Sequence, residues 1–292
     1  MRKLLATGLI LALTVTANVY AQGLPTTDIW LAGIENGLPA MPVRISDGDG
    51  YNNQPHFSAD GAVIFYTREM PGKDATQTDI AAYNVQTSAT TMVTETAESE
   101  YSPTPVPNRN AVSVIQADLE QNQYLWAVDV GNGDMDLLFP DVEPVGYHAW
   151  FSDDGVAMFI LGDSFTLQTA RLNNAGAKVV ADNIGRSIRK HPQTGEVLFV
   201  DKNQEPWDIA AYNPDTGVIR SVMPLFPGNE DFTIDSAGDY WTGNGSKLYR
   251  RSSAGGRWGL IADFSAFGIK NISRLAVHAE SRKIALVGEN AN

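Results

Sequence analysis

One feature restricts this chain more than any other: it repeats itself. Asp79-Ile80-Ala81-Ala82-Tyr83-Asn84 recurs without change as Asp208-Ile209-Ala210-Ala211-Tyr212-Asn213. Looser relatives begin at Asp28, Tyr124, Leu167 and Lys247, so six copies start at 28, 79, 124, 167, 208 and 247. A second series interleaves with the first. Phe57-Ser58-Ala59-Asp60-Gly61 and Phe151-Ser152-Asp153-Asp154-Gly155 are close copies, with weaker ones at 106–110, 191–195, 234–238 and 277–281. Asp, Asn, Ser and Gly are the residues that let a chain reverse cheaply. Most copies lead into a short β-branched or aromatic run such as Val63-Ile64-Phe65-Tyr66 or Val197-Leu198-Phe199-Val200, the mark of a buried strand. No stretch of helical length carries a 3.6-residue apolar period. Four strands per unit at this spacing predict an all-β six-bladed propeller of four-stranded blades. The chain opens on a c-d strand pair (28–46) and closes on an a-b pair (271–288). The N-terminal strands are therefore expected to complete the C-terminal blade and close the ring, leaving no open edge between the first and last blades.

The first 21 residues read as an address. Arg2 and Lys3 precede the apolar run Leu4–Val15, and Val19-Tyr20-Ala21 offers small residues for cleavage after Ala21. This is the pattern of a signal peptide. It predicts a periplasmic or secreted protein with one propeller domain over 22–292, no transmembrane segment and a monomeric state. The chain has no cysteine, so an exported form would hold no disulfide. With 21 Lys+Arg against 34 Asp+Glu, a net charge of −13, it lacks the basic face that nucleic acid demands.

The segment Gln54-Pro55-His56-Phe57-Ser58-Ala59-Asp60-Gly61-Ala62-Val63-Ile64-Phe65 resembles the TolB-type, WD40-like repeat, and Trp150-Phe151-Ser152-Asp153-Asp154-Gly155 matches the same core. Asp28-Ile29-Trp30 and Asp208-Ile209 resemble that family's following strand. The turn proline of the family pattern is replaced by Ala59 and Asp153. Blade two departs furthest, with Pro103, Pro105 and Pro107 where a regular strand is expected. The resemblance implies the propeller alone. The separate domain that precedes it in TolB-like translocation proteins is not expected here, nor is the α/β-hydrolase domain of propeller-bearing peptidases.

Catalytic signatures are sparse. G-x-S-x-G, G-x-x-x-x-G-K-[ST] and H-E-x-x-H are all absent from the sequence, and Gly162-Asp163-Ser164-Phe165 reads as a turn. His191 and His278 occupy the turn slot of Ser58 and Ser152, and His56 is expected to pack between blades. The residues entering the innermost strands form the candidate binding ring: Asn53, Glu100, His148, Arg186, Glu230 and Arg274. Convergent polar groups at a channel mouth suit a protein partner or a small ligand such as an anion, a sugar or a peptide end. Asp47-Gly48-Asp49-Gly50, and likewise Asp134 with Asp136, have the alternating oxygens of calcium loops but lack a later bidentate Glu, so no cofactor is expected. The resulting expectation is an exported, non-catalytic binding propeller. The alternative is a channel-mouth hydrolase or lactonase of the six-bladed type. Calcium is the ion it would call for, although Arg186 and Arg274 would oppose a divalent cation at the mouth.

Overall fold

The computed structural model describes residues 24–47, 50–70, 77–174, 176–278, 280 and 282–290. The expected signal peptide and the centre of the Asp47–Gly50 loop lie outside them. The chain begins with β1 (Asp28–Glu35), β2 (Leu38–Pro39) and β3 (Val43–Arg44). Blade one follows as β4 (Asn52–Phe57), β5 (Val63–Glu69), β6 (Thr78–Asn84) and β7 (Thr90–Met92). Blade two is β8 (Ser99–Pro105), β9 (Ala111–Ala117), β10 (Gln123–Asp129) and β11 (Met135–Leu137). Blade three is β12 (Val145–Trp150), β13 (Gly155–Ile160), β14 (Thr166–Arg171) and β15 (Lys178–Ala181). Blade four is β16 (Ile184–Lys190), β17 (Val197–Asp201), β18 (Asp208–Tyr212) and β19 (Ile219–Pro224). Blade five is β20 (Thr233–Ile234), β21 (Tyr240–Asn244), β22 (Lys247–Arg251) and β23 (Gly259–Asp263). Blade six begins with β24 (Ile269–His278) and β25 (Lys283–Asn290).

Blade six is finished from the other end of the chain. β1 pairs antiparallel with β25 from Asp28↔Gly288 to Gly33↔Lys283, and β3 pairs with β1. The protein is thus a six-bladed β-propeller closed by its own N-terminal strands, as the half-units of the sequence predict. The inner strands β4, β8, β12, β16, β20 and β24 neighbour one another around the axis, which places blade three opposite blade six.

The sequence repeats have local physical causes. The aspartate heading the third strand of a blade accepts a hydroxyl from the fourth: Ser46 Oγ to Asp28 (2.7 Å), Thr94 Oγ1 to Asp79 (3.2 Å) and Ser221 Oγ to Asp208 (2.5 Å). All three aspartates are buried, and a buried carboxylate persists only when it is bonded. The Ser-x-Asp-Gly turn is a closed circuit as well. Ser58 Oγ donates to Asp60, Asp60 accepts the Ala62 amide, and the Val63 amide donates back to Ser58 Oγ. The two turn glycines serve different ends. Gly61 takes a φ of +68°, open to glycine without steric cost. At Gly155 a Cβ would come within 2.4 Å of the Phe151 ring.

The irregularity expected from the prolines of blade two is present but is not peculiar to that blade. β8 slips register between Tyr101 and Thr104, with Ser102 at φ +56°. β4 slips in the same way at Gln54 (φ +56°) and β24 at Asn271 (φ +51°). The bulge belongs to the inner-strand position, where it re-aims side chains at the axis.

Candidate functional site

The inner strands enclose a central cavity of about 430 Å³ lined by residues of all six blades. At the end where these strands enter, the cavity is crossed by side chains. Arg274, from blade six, donates through Nη2 to the Tyr147 hydroxyl of blade three at 2.7 Å. Because those blades face each other, this bond spans the axis. Arg274 also donates through Nη1 to Asn53 Oδ1 (3.3 Å) and lies 3.9 Å from Asp231. Asp231, itself buried, receives Arg186 Nε at 3.1 Å and Nη2 at 2.5 Å. Burial disfavours charge on Arg274, yet Tyr147 and Asp231 outweigh that cost and hold it protonated more firmly than a free guanidinium. Tyr51 is buried within the influence of Arg274 and Tyr147, and that burial pushes its phenol well above the usual range.

The six residues picked from the sequence therefore part company. Asn53, Arg186 and Arg274 belong to the crossing network. Glu230 stands behind it, held by Lys202 at 2.5 Å and by the Arg186 amide at 2.9 Å. His148 lines the cavity. Its Nε2 shares a 2.6 Å bond with Ser113 Oγ, which also accepts from Trp150 Nε1, and its Nδ1 is buried without a partner. Burial brings this imidazole down to about 3. Glu100 turns away from the axis, fully buried, with Oε1 accepting from Thr96 and Gln116. Burial, with Asp79 nearby, pushes its carboxyl up to about 7.

Sequence reasoning passed over Tyr147, Arg189 and Asp231. Asp231 follows Glu230 directly and Tyr147 precedes His148, so each omission is an error of one residue at an irregular strand entrance. Arg189 lies deeper in β16 and carries no repeat signal. His56, expected between blades, instead lines the cavity. It is open to the lumen but enclosed by protein, and that enclosure brings it down to about 4. His191 accepts the Gln193 and Thr194 amides, each at 3.3 Å, as a turn histidine does. Among the described residues no three His, Asp or Glu side chains converge as a metal ion would need, and no helix is long and apolar enough to cross a membrane.

These features define a six-bladed β-propeller with an ion-paired bar across one mouth and a cation-lined cavity behind it. Solved structures with the same architecture include TolB from Acinetobacter baumannii, matched over 91% of this chain and 64% of that one at 11% identity and a TM-score of 0.59. This chain thus spans less than two thirds of that TolB. A protein of Agrobacterium tumefaciens solved as a TolB matches 90% of this chain and 98% of its own, at 10% identity and a TM-score of 0.70. An oligogalacturonate lyase in complex with manganese matches 76% of this chain and 68% of its own, at 14% identity and a TM-score of 0.55. No family model and no curated protein matches the sequence. The TolB-type resemblance read from the Phe-Ser-x-Asp-Gly turns thus extends to the whole propeller fold.

Proposed function

We propose that the protein is exported and acts as a non-catalytic propeller that binds a protein partner or a small ligand in its central channel. The observation that carries this reading is the cavity itself, which draws polar and charged side chains from every blade to one axis. Ligand sites favour such concave, few-per-protein places where polar groups converge. The bar of Arg274, Tyr147 and Asp231 is held by hydrogen bonds and ion pairs within the protein. It supports a role in shaping the site, with access from the opposite mouth near Ala59 and Lys190, both exposed. Export rests on the basic-apolar-small pattern of residues 1–21.

A second reading, catalysis at the channel, draws on the fold shared with the oligogalacturonate lyase. Native mass spectrometry of the protein purified from an envelope fraction tests both. The binding reading expects a mature chain starting at Gln22 that carries a ligand or partner, and expects an Ala149→Trp variant with a filled channel to lose it. Stoichiometric calcium or manganese together with chelator-sensitive turnover of a lactone or oligogalacturonate would refute it.

A further inference from the structure

Arg189 is the one arginine of the cavity that the ring of ion pairs leaves out. Arg186 and Arg274 are both committed to Asp231. Arg189 forms no salt bridge among the described residues, and its only hydrogen bond is a 2.8 Å contact from Nη1 to the carbonyl of Ile188, its neighbour in the chain. Its guanidinium is enclosed by protein, and that enclosure lowers its pKa, yet it faces the cavity. An enclosed charge without a paired counter-ion is unfavourable, and a guanidinium carries a planar fork of donors matched to carboxylate oxygens. The lining also includes half-buried apolar side chains: Pro105, Ala149, Ile234, Ala276 and Val277. Lys190 stands exposed toward the open mouth, adding positive potential on the approach to a protein that is acidic overall.

Resting on the channel-binding reading, we propose that the cavity binds a small organic acid, one carboxylate on a compact apolar body, with Arg189 as its counter-ion. The carboxylate supplies further acceptors to Arg189, and the apolar body covers Pro105, Ala149 and Ile234. A volume near 430 Å³ is at the small-molecule end of ligand cavities. The geometry also implies that Arg189 is kept at some expense to the ligand-free fold, since among the described residues no carboxylate forms a salt bridge with it and Asp231, already taken by Arg186, acts on it only through its field.

The test is isothermal titration of the full chain with benzoate, phenylacetate and hexanoate, each set against its neutral amide. Thermal melts of Arg189→Met and Arg189→Lys accompany it. The expected result is binding at one site by at least one acid, with its amide at least tenfold weaker. Arg189→Met should lose at least tenfold in acid affinity while melting, ligand-free, no lower than the parent. Arg189→Lys, which keeps the charge and loses the fork, should fall between. Arg109→Met, on an exposed outer turn, should change nothing. Equal binding of acid and amide, undiminished affinity in both Arg189 variants, or a ligand-free melt of Arg189→Met well below the parent would each overturn the proposal. So would the failure of all three acids to bind, or binding of acidic peptides alone. In these last two cases the channel reading survives if Ala149→Trp still removes the co-purified ligand, and falls with the proposal if it does not.

Discussion

Glu100→Gln should stabilise the protein at pH 8 and have no effect at pH 4.5. Glu100 sits at the seam of blades one and two with no exposed surface. Oε1 is served by the Thr96 hydroxyl at 2.6 Å and the Gln116 amide at 2.9 Å. Oε2 meets no donor and stands within the field of Asp79, which is committed to Thr94 and to the Thr96 amide. Burial first, and Asp79 second, make the charged form costly, so the carboxyl rises from an ordinary 4.5 to about 7. The folded state then keeps a proton that the unfolded chain has released. Between pH 4.5 and 7 the folded state binds more protons, so stability falls as pH rises through that window and is level above it.

At about 1.4 kcal/mol per pH unit, the gap sets a ceiling of about 3 kcal/mol on the cost of ionising Glu100 in place. Glutamine keeps the acceptor for Thr96 and Gln116 and turns an NH2 toward Asp79, removing the charge with little change of shape. For a chain of this size the gain corresponds to roughly 5 °C in Tm. Parallel melts of parent and variant from pH 4.5 to 8.5 provide the readout. The difference between the two curves isolates Glu100 from the histidines, whose contributions have the opposite slope. A difference that is independent of pH, or a variant less stable than the parent at pH 8, would refute the argument.

Other consequences are simpler to state. His56 and His148, lowered by burial to about 4 and about 3, should keep neutral-imidazole NMR shifts at pH 5.5. Both favour folding above pH 6.5, and that contribution drains away as pH falls toward their folded values; a protonated ring at pH 5.5 would contradict the geometry. Removing residues 1–46 strips β1 from β25 and opens the cluster of Ile29, Phe57, Ile64, Tyr66 and Val287. The truncated chain should lose its single cooperative melt, and a monomeric two-state transition would count against closure by the terminal strands. Gly155→Ala should cost about 1–3 kcal/mol in chemical denaturation, because its methyl would meet Phe151 and Ser152.

The fold was legible in the sequence because several blades solve the same local problem with the same residues. A third strand that begins in the core needs its Asp–Ser or Asp–Thr bond, and a hairpin at the rim needs its Ser-x-Asp-Gly circuit. Selection for folding therefore writes the same letters again and again, as at Asp79 and Asp208. The channel obeys no such rule. Its lining is drawn from inner strands that bulge at their entrance, and one inserted residue exchanges the face that points at the axis for the face that points between blades. Counting to the strand start thus reached Glu100 where the axis is met by Ser102, and Glu230 where it is met by Asp231. It found Arg274 because that side chain is long enough to cross the axis from a single blade.

The same contrast bears on function. In a ring of near-equivalent blades, six identical inner strands would present a symmetric channel with no preferred ligand. Specificity has to come from departures from the repeat. Among the cavity residues that depart furthest, Tyr147, Arg189, Asp231 and Arg274, the repeat pointed to Arg274 and missed the other three. Three of them bond to one another across one mouth, leaving a cross-linked floor. Among the described residues Arg189 bonds only a backbone carbonyl and forms no salt bridge, and a fold that pairs its other channel arginines but not this one holds in reserve the charge that an incoming acid would meet.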